Sequence, residues 1–267
     1  MKDLVINISN ILNREGIKFI VIGAMARDIF FENKGIKLDV RTKDIDFAVL
    51  VENWDEYNKM IDILKKEMGM TEEITIAYRL IYGGIPVDIL PFGQIAEPGA
   101  TVRWPGKFRA RMKVQGFQEA FNNAADLILE SAIVRVIIPE MLVALKLSSW
   151  SLASSRAKDA MDIRLILENV KNLCPDIEDD FHNKENENLL EKYCNNETGL
   201  WISSFGSRIQ TLLGSNSELS NYLKNLMGSP FNISNLIRDM NEGNVPNQEL
   251  ERALLAIVIP LKDGLRR

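Results

Sequence analysis

The chain has 267 residues, 46% of them hydrophobic, and a formal net charge of −5. This supplies enough apolar surface for one large domain or two ordinary ones, and the acidic balance argues against a protein coated in nucleic acid. The two cysteines and the single histidine support neither a disulfide scaffold, nor a Cys/His metal site, nor a Ser-His-Asp triad. Since no apolar run approaches the ~20 residues that span a bilayer, and the N-terminus lacks signal-peptide architecture, we expect a cytoplasmic protein with no membrane contact.

The first candidate feature is a joint between a strand and a helix. Residues 3–15 have the apolar spacing of a helix, and residues 18–22 predict a buried strand that runs into Gly23 and Ala24, after which residues 25–31 predict the next helix. A glycine at such a joint lets the backbone approach a ligand, and the free N–H groups of the new helix favour an anion such as a triphosphate. Most turns of this kind bind nothing, so the joint alone does not define a site.

The second feature is the pair Asp44 and Asp46. The apolar residues around the pair predict a strand with one buried face, formed by Ile45, Phe47, Val49 and Val51. With a side-chain period of two, Asp44 and Asp46 project together from the opposite face. Two neighbouring carboxylates repel each other, and a hard divalent cation such as Mg²⁺ relieves that repulsion. A solvated strand end gives the same pattern, and the tripeptide alone favours that simpler interpretation.

A third carboxylate follows in a predicted hairpin. Residues 74–82 and 85–90 predict two strands joined by Gly83 and Gly84. In the second strand Asp88 faces away from its apolar neighbours. Neighbouring strands lie about 4.8 Å apart, so three aspartates on adjacent strands can share one or two metal ions. The alternative is that Asp88 is an ordinary exposed strand residue.

Residues 93–116 predict loop and short strand with an excess of positive charge. The basic residues are Arg103, Lys107, Arg109, Arg111 and Lys113, and no acidic residue lies between Arg103 and Lys113. With Trp104, this segment is a candidate binding site for phosphates or for a base stacked on the aromatic ring. A solvated basic loop is an equally good interpretation.

The remainder predicts helices. Residues 139–152 and 155–170 have helical spacing, and further helical patterns follow at 200–213, 218–227, 231–240 and 247–262. Charged residues on the first two helices include Lys146, Lys158, Asp159 and Asp162, for which surface ion pairs are the simplest interpretation. We therefore expect an α+β fold: a mixed sheet with flanking helices in residues 1–136, then a helical domain in residues 137–267.

Four segments, taken in order, resemble a known family. They are residues 22–28 (IGAMARD), 41–46 (RTKDID), 87–93 (VDILPFG), and the set Lys146, Trp150, Arg156, Lys158, Asp159 and Asp162. Together they are similar to motifs of nucleotidyltransferase-fold proteins of the AbiEii toxin-like group, in the DNA polymerase β-like superfamily. The resemblance runs through most of residues 1–170 and weakens beyond.

The resemblance implies a set of functional residues. Asp44, Asp46 and Asp88 would be catalytic and would bind the metal. The nucleotide would be bound by Gly23, Ala24, Arg27, Arg41, Thr42, Lys146, Lys158, Asp159 and Asp162. The superfamily usually has Gly or Ser where this chain has Ala24, so a hydroxyl contact to phosphate is lost while the backbone N–H remains.

The implied activity is transfer of an NMP from an NTP to an acceptor hydroxyl, with two Mg²⁺ ions as cofactors. An RNA 3′ end, a protein hydroxyl and a small molecule all remain open as acceptors. The resemblance also implies the toxin of a toxin–antitoxin pair, with an antitoxin protein as partner. The alternative is a non-catalytic nucleotide-binding or protein-interaction module that retains the fold, and Ala24 favours it mildly.

Overall fold

A computed structural model describes residues 1–38, 42–105, 110–130, 132–152, 156–214 and 217–266. The chain divides into two units, Met1–Ile138 and Pro139–Arg267. No helix among these residues is long and apolar enough to cross a membrane.

The first unit contains the strands. In chain order they are β1 Lys18–Ile22, β2 Ile45–Leu50, β3 Thr71–Glu72, β4 Arg79–Tyr82, β5 Ile85–Phe92, β6 Thr101–Arg103, β7 Arg111–Lys113, β8 Ala125–Leu129 and β9 Ala132–Val136. Within the described ranges, seven of them form one sheet in the order β3-β4-β5-β2-β1-β9-β8, and β6 pairs with β7. The pairs β2–β5 and β1–β9 are parallel, and the other pairs of this sheet are antiparallel. The sheet is mixed, so the predicted α+β class is confirmed.

Helices flank this sheet. They are α1 Lys2–Arg14, α2 Gly23–Asn33, α3 Trp54–Met68 and α4 Phe117–Asn122. Helix α3 shows how the local sequence sets its ends: the side chain of Asn53 accepts a hydrogen bond from the backbone N–H of Glu56, and Gly69 ends the helix with a φ of 68°. Its apolar stripe is buried at Tyr57, Met60, Ile61 and Leu64.

Strand β2 lies near the middle of the sheet. Ile45, Phe47 and Val49 are fully buried, as the apolar alternation predicts. Ala48, which points to the opposite face, is fully buried as well. The sheet is thus covered on both sides along β2, and Asp46, at the start of the strand, keeps part of its surface exposed.

The predicted strand over residues 74–82 is only partly present, because β4 begins at Arg79. The carboxylate of Glu73 accepts hydrogen bonds from the backbone N–H groups of Ile74 and Thr75, and the N–H of Arg79 donates to Ile76 O. These local bonds form turns in place of a ladder. Ile74 is left exposed, so its apolar character was misleading.

The second unit is helical in the part of it that the structure describes. Its α-helices are α5 Pro139–Leu152, α6 Ala157–Glu168, α7 Val170–Leu173, α8 Glu187–Tyr193, α9 Glu197–Leu213, α10 Glu218–Gly228, α11 Pro230–Met240 and α12 Gln248–Leu265. Helices α9 and α12 approach closely at Gly206 and Gly264: a Cβ atom on Gly264 would lie 2.0 Å from Ser203 O. Glycine is needed there because any side chain would push the two helices apart.

Candidate active site

The pairing of three strands places two of the predicted carboxylates side by side. In the parallel pair of β2 and β5, Asp46 is the partner of Asp88. In the antiparallel pair of β1 and β2, Ile22 is the partner of Asp46. Cross-strand partners point to the same face of a sheet. Asp46, Asp88 and the joint that follows Ile22 therefore meet at one place, with Asp46 half-buried and Asp88 buried.

The joint between β1 and α2 lies directly against the side chain of Asp46. Gly23 is the first residue of α2 and has a φ of 68°, a backbone conformation that side chains rarely adopt. A Cβ atom on Gly23 would lie 2.0 Å from Oδ2 of Asp46. Because residue 23 has no side chain, the Asp46 carboxylate lies directly against the backbone of the joint. That a ligand also approaches this backbone stays a prediction.

Asp88 is bound by an arginine that the sequence reasoning missed. The Nε atom of Arg79 donates to Asp88 Oδ1 at 2.6 Å, and the Nη2 atom of Arg79 donates to Asp88 Oδ2 at 2.8 Å. Hydrogen bonding to Asp88 raises the pKa of Arg79 despite partial burial, and the charges of Asp88 and Asp44 add to this. The signal was in the predicted hairpin: with Gly83 and Gly84 as the two-residue turn, Arg79 falls opposite Asp88.

A chain of hydrogen bonds links helix α2 to Asp44. Arg27 donates to Asp28 Oδ1 at 2.8 Å, and Asp28 Oδ2 accepts the backbone N–H of Thr42 at 3.0 Å. The hydroxyl of Thr42 donates to Asp44 Oδ1 at 2.6 Å. Arg27 and Thr42, predicted to contact the nucleotide, thus have side-chain partners within the protein, and Arg41 lies outside the described residues.

The donor set suits a divalent cation by chemistry and by register, because carboxylate oxygens on neighbouring strands are the ligands that Mg²⁺ prefers. Asp88, however, has a guanidinium on both of its oxygens. In the described ranges, no group of three or more Asp, Glu, His or Cys side chains is placed to hold a metal ion. These residues therefore fit the metal only if Asp88 exchanges Arg79 for it.

In the second unit, three predicted residues meet in a buried ion cluster. Lys146 lies 3.1 Å from Asp159 and 2.5 Å from Asp162, and Ser149 donates to Asp159 at 2.9 Å. Burial lowers the pKa of Lys146, but the two carboxylates outweigh burial and the pKa is raised. The interpretation as surface ion pairs is wrong for these three residues, since the side chain of Lys146 is only 8% exposed.

Lys158, predicted beside them, is exposed on α6. The other three are brought together because Asp159 and Asp162 lie one turn apart on that helix and both reach Lys146 on α5.

The basic segment is only partly described, since Lys107 and Arg109 lie outside the described residues. Arg103 on β6 pairs with Glu97 at 3.1 Å, and both side chains are exposed. Trp104 is buried against the rings of Trp54 and Tyr78, so the proposed stacking of a base on this residue is not supported.

Comparisons with known proteins give structural similarity only. No family model matches the chain, and no curated protein matches it. The crystal structure of ANT(2'')-Ia in complex with adenylyl-2''-tobramycin is 15% identical, with a TM-score of 0.44, over 63% of this chain and 88% of the other. A solution structure of the same antibiotic-resistance factor is 12% identical, with a TM-score of 0.42, over 73% and 94%. An antigenic nucleotidyltransferase-like protein from Paracoccidioides brasiliensis is 14% identical, with a TM-score of 0.44, over 74% and 91%.

All three of these similarities have TM-scores below 0.5. Similarity of this degree does not define the chemistry of this chain, which has to be argued from its own residues.

Proposed function

We infer that the chain is a Mg²⁺-dependent nucleotidyltransferase that moves an NMP from an NTP to an acceptor hydroxyl. The observation that supports this most is the meeting of Asp46, Asp88 and the Gly23 joint at one place on the sheet. Carboxylates beside the N-terminus of a helix provide metal ligands and an anion site next to each other, which is what a metal-bound triphosphate requires.

Each residue has a proposed role. The backbone N–H groups at the start of α2, at Gly23 and Ala24, bind the triphosphate. Asp44, Asp46 and Asp88 hold the metal, which when bound neutralises the phosphates and polarises the acceptor oxygen. Arg27 and Thr42 act by holding Asp44 in place through Asp28 rather than by touching the nucleotide.

The transfer step is a displacement at the α-phosphorus. A bond forms between the acceptor oxygen and the α-phosphorus, the bond to the bridging oxygen breaks, and pyrophosphate leaves. The proton of the acceptor hydroxyl goes to a carboxylate oxygen of Asp88 that Arg79 has released, since a carboxylate has enough lone pairs for a metal ion and a proton together.

The acceptor stays open in this proposal: an RNA 3′ end, a protein hydroxyl or a small molecule. The sequence resemblance to the AbiEii toxin-like group adds a toxin role with an antitoxin partner to the proposal. The expected cytoplasmic location stays a prediction. Arg41, Lys146, Lys158, Asp159 and Asp162 are kept as proposed nucleotide-binding residues on the same ground.

The test is incubation of the purified chain with each labelled NTP, Mg²⁺ and a cell extract. Label in RNA, protein or a small metabolite identifies both reaction and acceptor class, and an Asp46→Asn variant is the control. In parallel, Mg²⁺ with an NTP should raise the thermal midpoint more than either alone, because a ligand that binds only the folded state stabilises it. Absence of both label transfer and a midpoint shift for all four ribonucleotides contradicts the proposal.

A second candidate is a non-catalytic nucleotide- or protein-binding module. The Arg79–Asp88 bond favours it, since it leaves Asp88 already neutralised without a metal. A midpoint shift with Mg-NTP but no transfer of label would support this second function over the first.

A further inference from the structure

We propose that Arg79 is a cation built into the site, which competes with the divalent metal for Asp88 and thereby sets the metal affinity of the site. The inference rests on the proposed function for its biological meaning, but its test measures metal binding alone.

The burial of Asp88 is the first step of the argument. Its side chain is 8% exposed, on a strand between β4 and β2. A buried carboxylate without a cationic partner is strongly destabilising. Some positive group must therefore sit on Asp88, and Arg79 fills that position with two hydrogen bonds.

The position of Arg79 is the second step. Arg79 is the first residue of β4, directly after a turn, and its side chain is 25% exposed. An arginine at a strand end with an exposed part can turn away without opening the core. Asp88 lies inside β5 and stays where it is, so the exchange requires movement of the arginine alone.

The geometry of the guanidinium is the third step. Its donors form a planar fork that matches carboxylate and phosphate oxygens equally well. An Arg79 side chain released from Asp88 is thus ready to bind a phosphate of the nucleotide. The same residue neutralises the carboxylate without metal and the triphosphate when metal is present.

The experiment measures Mn²⁺ binding without nucleotide, by electron paramagnetic resonance of free Mn²⁺, for the parent, Arg79→Gln, Asp88→Asn and the double variant. We expect Arg79→Gln to bind Mn²⁺ about tenfold more tightly or better, the size of a lost charged hydrogen bond. The gain should vanish in the double variant, because it acts through Asp88. Mn²⁺ should also raise the thermal midpoint of Arg79→Gln more than that of the parent.

Arg103→Gln is the matched control, since it removes an equal charge from the exposed pair with Glu97 and should leave Mn²⁺ affinity unchanged. If Arg79→Gln does not fold, Arg79→Lys is used, with a smaller gain expected in the same direction. Unchanged Mn²⁺ affinity in the folded variant overturns the inference, as does an equal gain in Arg103→Gln. The two proposals can fail separately. If Arg79→Gln binds Mn²⁺ more tightly but the parent chain transfers no nucleotide, the proposed reaction is contradicted and the inference about Arg79 is supported.

Discussion

Gly23 and Asp46 share one small volume: the Oδ2 atom of Asp46 lies 2.0 Å from where a Cβ of residue 23 would be. Gly23 begins α2 directly after β1, Asp46 lies in β2, and the register of β1 with β2 brings the two residues together. Any side chain at position 23 must displace the carboxylate that we assign to the metal.

Gly23→Ala should therefore destabilise the folded state. The φ of 68° is unfavourable for alanine, and the new methyl group collides with Asp46, so we expect the free energy of unfolding to fall by about 2–4 kcal/mol. Urea denaturation measures this. In an Asp46→Ala background the same change should cost little more than the backbone strain of about 1–2 kcal/mol, because the colliding carboxylate is gone and the remaining Cβ atom of residue 46 is 3.2 Å away.

Gly16→Ala is the control, since Gly16 has a φ of 69° but nothing within 4 Å of a built Cβ. A loss for Gly23→Ala no larger than that for Gly16→Ala would show that the close approach to Asp46 is not a constraint.

Asp46→Asn tests the catalytic assignment. The change keeps the size of the side chain but removes a charge from the proposed ligand set, so transfer of label should fall by orders of magnitude. The free energy of unfolding should stay within about 1 kcal/mol of the parent, because Asp46 is half-buried and asparagine has the same shape. A variant that is fully active, or that unfolds, would make Asp46 a structural residue.

Lys146→Met tests the buried cluster in the second unit. Removing the ammonium leaves the buried Asp162 without Lys146, and leaves the partly buried Asp159 with the weaker partner Arg156, 3.5 Å away, so we expect the free energy of unfolding to fall by about 3–5 kcal/mol. Lys158→Met, on an exposed position of α6, should change it by less than about 0.5 kcal/mol. Equal effects of the two substitutions in thermal or urea unfolding would refute the structural role of Lys146.

Glu140 gives a prediction about pH. Burial raises the pKa of Glu140, and Arg208, 3.5 Å away, only partly offsets this. The folded state then binds more protons than the unfolded state above the ordinary value of 4.5, so this group lowers stability as pH rises from there to its folded pKa. Glu140→Gln should thus be more stable than the parent at neutral pH.

That advantage should shrink as pH falls from the folded pKa, and it should be lost below 4.5, where the parent carboxyl becomes protonated in both states. Denaturant midpoints of the two proteins, measured from pH 4 upward, give the difference directly. A difference that grows as pH falls has the wrong sign and would refute this assignment.

Local patterns in the sequence were enough for much of the first unit. The alternation around Asp46 predicts β2, and the Gly83-Gly84 turn predicts the hairpin that contains Asp88, because side-chain period and turn chemistry act over a few residues. The prediction of a strand over residues 74–78 was wrong, also because of a local interaction. Glu73 accepts hydrogen bonds from nearby backbone N–H groups, and hydrophobicity does not reveal such bonds.

The sequence by itself determined that Asp44 and Asp46 flank a buried apolar residue, that Asp88 lies in a second strand, and that Gly23 joins a strand to a helix. Only the tertiary structure decided that Asp46 is the partner of Asp88, that Asp46 fills the space beside Gly23, and that Lys146 is buried between two aspartates. These contacts join residues far apart in the chain, and which strands and helices become neighbours is fixed by burial of the whole core rather than by any local pattern.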